Sequence, residues 1–154
     1  MLFRPKALTV PEPDFFMKQE LKNAFGRVFL TIDVDTQNKW VHVNWMGYLT
    51  ADNIKTGAEA YVAALQNAGY SCVLNDTRLI LGTWDHSLEW VVNNWAPKAA
   101  AAGLKHFAMI TTPESFGESS AAKFHNEMKS FEAEVFDNKP DAENWLRLRS
   151  LSRA

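Results

Sequence analysis

SCVLNDTRLILGTWD, residues Ser71 to Asp85, decides how the rest of the chain is read. It opens on a short apolar run that reads as a buried strand. It turns polar at Asn75-Asp76-Thr77-Arg78, passes a short apolar patch, and reaches Gly82-Thr83-Trp84, a helix entrance. The order strand, polar corner, helix is the repeating unit of an α/β domain. The question is whether the corner is a working site or only the end of a strand.

Upstream, RVFLTIDVD (27–35) puts Val28, Leu30, Ile32 and Val34 on one side with period two. After the turn-forming TQNK, WVHVNWMG (40–47) alternates again, with Val41, Val43 and Trp45 on one face and Trp40, His42 and Asn44 on the other. The pair reads as an antiparallel hairpin. Thr50 then caps a helix carrying Ile54, Ala58, Tyr61, Val62, Leu65 and Ala68, which Gly69 stops.

Downstream, TWDHSLEWVVNNWAPKAAAAG (83–103) reads as a second helix with Thr83 as its cap and Pro97 as a bend or break. Trp84, Leu88, Val91, Trp95 and Ala99 share a core-facing stripe, whereas Trp90 falls beside Asn93 and Asn94 on a polar face and is a candidate contact residue. LKHFAMITT is a strand. A helix capped by Thr112 or by Ser119 presents Ala121, Phe124, Met128 and Phe131, and EAEVFD is a last short strand. Asn138 to Arg149 closes the chain as a helix with acidic residues first and basic ones last, which suits its dipole. The N-terminal 1–25, with Pro5, Pro11 and Pro13, reads as an arm or a short helix over DFFMKQELKNAFG, ahead of a domain over 26–150.

Composition narrows the function. The chain has 154 residues, one domain's worth, and a net charge of −2 with both signs interspersed and no basic block, which argues against nucleic acid. No apolar run approaches the ~18 residues of a membrane span and no secretory leader is evident, so a cytoplasmic location is expected. The one cysteine, Cys72, reads as a small buried hydrophobe. The four histidines, His42, His86, His106 and His125, fall on different elements without metal-ligand spacing, and no metal or cofactor is expected. His86 lies beside Asp85 and Ser87, and SFGESSA holds a Gly-x-Ser-x-Ala, yet no nucleophile elbow frames either, so no catalytic set is expected.

Four stretches resemble the STAS-like domains, the family of the anti-sigma-factor antagonists and their SpoIIAA-like relatives. MGYLTADNI is similar to that family's strand-to-helix entry, VLNDTR to its apolar strand ending in Asp-x-Arg or Asp-Ser, LKHFAMIT to its fourth strand, and EVFDNKPDAENWL to its closing strand and helix. The resemblance implies a single α/β domain: a mixed sheet, opened by the hairpin and continued by βα units, packed with about four helices. It also implies a non-catalytic regulatory or protein-interaction module. In the antagonists a phosphorylatable Ser follows the strand's Asp, and the matching position here is Thr77, although the Asp-Ser-Ser-Gly run of the switch is absent. The alternatives are a small-molecule or lipid-binding carrier and a phosphorylation-controlled switch at Thr77. The expected site is the loop after SCVLN, with Asp76, Thr77 and Arg78 as polar contacts and Thr83, Trp84 and Trp90 as an apolar wall. A protein partner, a second copy of the chain or a small apolar ligand would bind there.

Overall fold

The computed structural model describes residues 17–151. Six strands form one mixed sheet in chain order: β1 (Lys18–Lys22), β2 (Val28–Asp35), β3 (Trp40–Gly47), β4 (Cys72–Ile80), β5 (His106–Ile110) and β6 (Glu132–Phe136). The first three run antiparallel, and β3 to β6 run parallel. The hairpin is closed by Asp35, whose carboxylate accepts from the backbone N–H groups of Gln37 and Asn38.

Helix α1 (Ala51–Ala68) forms where its signals stand. The Thr50 hydroxyl accepts from Asn53 N, the Asn53 side chain answers to Thr50 N, and Gly69 takes the left-handed conformation at φ 73°. The second helix, α2, is built in pieces. A 3-10 turn at Asp85–Ser87 leads into Leu88–Trp90, a π-type segment over Val91–Trp95, and α-helix again over Ala96–Ala101. The widened turn directly precedes Pro97, whose ring would otherwise press on the preceding turn and which has no N–H to give. So Pro97 widens the helix without ending it. Helix α3 (Phe116–Glu127) is capped by Ser115, whose hydroxyl accepts from Glu118 N, and not by Thr112 or Ser119. Helix α4 (Lys139–Leu151) follows Asn138, whose side chain accepts from Asp141 N.

The sheet is covered on both faces. Val41, Val43 and Val73 join Ile54, Ala58, Tyr61 and Leu65 of α1, Trp95 of α2 and Phe124 of α3 in the larger core. On the other face Trp40, Cys72, Leu74, Ala108 and Ile110 pack beneath Ala142 and Leu146 of α4. Cys72 is buried there, as a small hydrophobe would be. Gly57 lets α1 lie close to the sheet: a Cβ on it would stand 2.7 Å from Leu30 Cδ2 and from the Trp45 ring.

Two expectations need correction. Part of DFFMKQELKNAFG lies outside the described residues; Met17 is helical, but Lys18–Lys22 is the edge strand β1, paired with β2. Only Leu21 of that strand is part-buried, and the lysines on it suit an exposed edge. Among the described residues the sheet thus begins at Lys18. The second correction concerns the polar corner, which is not a loop. Strand β4 continues through Asn75-Asp76-Thr77-Arg78 to Ile80, with a bulge where the pairs Asn44–Asp76 and Met46–Leu79 fall out of step.

Candidate functional site

Asn75, Asp76 and Thr77 of β4 are buried, and each has a partner in place. Asn75 Oδ1 accepts from the Trp45 indole N–H at 2.9 Å. The Thr77 hydroxyl donates to the Ile110 carbonyl at 2.7 Å, tying β4 to β5. Asp76 faces the opposite way and takes Arg78 as a fork, Nε to Oδ1 at 3.0 Å and Nη2 to Oδ2 at 2.7 Å, with Arg78 N also donating to Oδ1 at 3.1 Å. Burial of the Asp76 carboxyl works to raise its pKa. The side-chain and backbone bonds from Arg78 outweigh this and hold it below the ordinary carboxylate range. The strand survives its polar residues because each finds a partner. The Thr77 hydroxyl, the expected phosphorylation position, is buried and engaged on Ile110.

The expected apolar wall divides. Trp84 is buried against Phe124, with ring centroids 6.1 Å apart, and belongs to the core together with Leu88, Val91, Trp95 and Ala99. Thr83 is exposed, and its hydroxyl makes only a 3.4 Å contact with Asp85 N. Trp90 is part-buried, with Lys55 Nζ of α1 5.6 Å from its ring centroid. The six expected residues therefore do not converge. Asp76 and Arg78 pair on one side of the sheet, while Thr77 and Trp84 lie on the other beside a cavity of about 40 Å³.

That cavity lies between the sheet and helices α1 to α3. Its walls include Trp45, Tyr61, Thr77, Trp84, Trp95 and Phe107. The walls are rings set edge to face: Tyr61 and Trp95 have centroids 5.7 Å apart and Trp95 and Phe107 6.0 Å apart. Trp95 is fixed by its indole N–H on the Ala58 carbonyl at 3.1 Å. Burial pushes the Tyr61 phenol pKa up, so the group stays neutral.

Above the cavity, at the C-terminal ends of the parallel strands, three large apolar side chains stand exposed: Tyr48 at 75%, Leu81 at 51% and Phe116 at 76%. The backbone gathers them. Leu81 N donates to Gly47 O at 3.0 Å. Gly82, at φ 77°, lies under the Tyr48 ring, and Gly117 lies against Gly82 O. None of the three stands out in the sequence. Leu79-Ile80-Leu81 as a strand exit, and Phe116 one turn ahead of the stripe Ser120, Phe124, are the signals that could have found them.

His86 sits between Asp85 and Ser87 at the start of α2. Its Nδ1 lies 2.9 Å from Ser87 Oγ, but Ser87 is buried. The Asp85 carboxylate accepts instead from Ser120 Oγ and from Lys123 Nζ at 2.9 Å. Among the described residues no three His, Cys, Asp or Glu side chains gather as a metal would require, and no helix is long and apolar enough to cross a membrane.

No family model matches the sequence, and no curated protein matches it either. Among solved structures, the chain is similar to an uncharacterised protein from the DUF3478 family, with a SpoIIAA-like fold, from Shewanella loihica PV-4. The identity is 22% over 76% of this chain and 91% of that one, at a TM-score of 0.53. The likeness is one of fold: the chain adopts a SpoIIAA-like α/β fold, in agreement with the family resemblance of its four sequence stretches.

Proposed function

We propose that the chain is a non-catalytic regulatory module of STAS type that docks a protein partner on the apolar rim formed by Tyr48, Leu81 and Phe116. One observation carries this reading: Tyr48, Leu81 and Phe116 are large, apolar and exposed, and the glycines beside them, Gly47, Gly82 and Gly117, bring their backbones together at the C-terminal ends of the parallel strands. Contiguous exposed apolar surface marks interaction sites, and in open α/β sheets this end is where ligands collect. The polar corner then braces the rim from below.

A photo-crosslinking residue placed at position 116 in the native host tests the reading. A protein adduct is expected there, absent when the probe is moved to the equally exposed Phe25 in the β1–β2 connection, and lost with Tyr48→Ser. Equal labelling from both positions, or none from 116, would refute it. A second reading, a small-molecule carrier, is favoured by the aromatic cavity beneath the rim.

A further inference from the structure

The cavity holds more hydrogen-bonding capacity than the protein satisfies. The Trp84 indole N–H is buried with no partner among the described residues. Asn75 gives Oδ1 to the Trp45 indole, and its amide group and the Tyr61 phenol border the same cavity. Trp84, Asn75 and Tyr61 are 6%, 3% and 3% exposed, and all three line the same space. A buried polar group left unpaired is costly and rare, so the Trp84 N–H, with Asn75 and Tyr61 lining the same space, calls for an occupant.

The lining defines the occupant's chemistry. The unmet group is a donor, the Trp84 N–H, and the Thr77 hydroxyl is already engaged with Ile110. Among the described residues no Lys, Arg, His, Asp or Glu lines the walls. An anion would therefore lose its water without gaining a counter-charge, and a cation would find few acceptors. A volume of about 40 Å³ is roughly three times what one water needs, enough for a carbonyl and its flanking carbons but not for a whole apolar molecule. The lining is least buried at Ile80 and Leu49, next in sequence to the exposed Leu81 and Tyr48. That is where a longer molecule would leave.

We propose that this cavity receives the uncharged carbonyl head of a small apolar molecule, a ketone or amide in character, held by Trp84, Tyr61 and Asn75, with its tail leaving between Leu49 and Ile80. The site stands apart from partner docking: Trp84 and Tyr61 belong to the cavity alone, and Phe116 to the rim alone.

Equilibrium dialysis with 2-octanone and with octanoate at pH 8 tests it. The ketone should bind saturably at one site, with octanoate at least about tenfold weaker because its charge has no partner. Tyr61→Phe keeps the ring and removes one hydroxyl, Trp84→Phe removes the N–H together with part of the indole, and each should weaken the ketone by about three- to tenfold. Phe116→Ser should leave ketone binding unchanged. If one ring variant fails to fold, as its melting profile would show, the other and the octanoate comparison decide. Absence of saturable ketone binding, meaning that water alone fills the cavity, would overturn the proposal. So would equal binding of octanoate, or wild-type affinity in the folded ring variants.

Discussion

Arg78→Ala separates a brace from a binding pair. Asp76 has a side chain only 7% exposed, and the substitution removes two of its three bonds, leaving the one from the backbone N–H. Hydrogen bonds to a charged group contribute about 1.5–3 kcal/mol. The Arg78 side chain is 39% exposed, and solvent screening lowers its share. The expected loss is about 1.5–2.5 kcal/mol by those magnitudes, or a fall of roughly 3–8 °C in Tm for a chain of this size. Urea unfolding followed by tryptophan fluorescence reads it. Asp76→Asn on the Arg78→Ala background should cost about 1 kcal/mol less than on the wild type, since the two side chains act as one unit. The pair also has a pH signature. A carboxyl held below its unfolded value contributes stability above that value, here 3.8, and loses it as pH falls through the folded one. The acid limb of the stability curve should therefore flatten in Asp76→Asn. An Arg78→Ala protein within about 0.5 kcal/mol of wild type would refute the brace and return Asp76 and Arg78 to the list of contact residues.

Gly57→Ala should destabilise the protein even though alanine favours a helix interior by about 1 kcal/mol, because the new Cβ meets the Trp45 ring, itself fixed on Asn75. A net loss of roughly 1–2 kcal/mol is expected from overpacking, and a stabilised variant in chemical denaturation would contradict the close approach of α1. Burial, and next the Lys139 charge, hold His42 below its ordinary value, so its contribution is present above pH 6.5 and lost as pH falls through the folded value. Melting temperature should accordingly drop between pH 7 and pH 5, and His42→Gln should flatten that drop. An identical slope in the variant would assign it to another group.

What the sequence makes legible are signals whose cause is local. Thr50 and Gly69 bracket α1 because cap chemistry is settled within a few residues. Alternation in β2 and β3, and the Trp84-to-Ala99 stripe, report a buried face directly. The extent of β4 is not local. Asn75, Asp76 and Thr77 look like a strand's end until Trp45, Arg78 and Ile110 supply partners, two of them about 30 residues away in sequence. Strand β1 was illegible because an edge strand with one part-buried residue carries no period. Ser115 loses to its neighbours by pattern and wins by geometry, its backbone being extended at φ −89° and ψ 165°. The cavity and the rim arise where α1, α2 and α3 meet the sheet, so no single segment encodes them.

The most direct test of partner docking is the intact mass of the protein isolated from its own host, first under native and then under denaturing conditions. A complex carrying a second protein is expected, released on denaturation and absent when Tyr48→Ser and Phe116→Ser are combined. A bare chain from the wild type, or the same partner retained by the double variant, would contradict it.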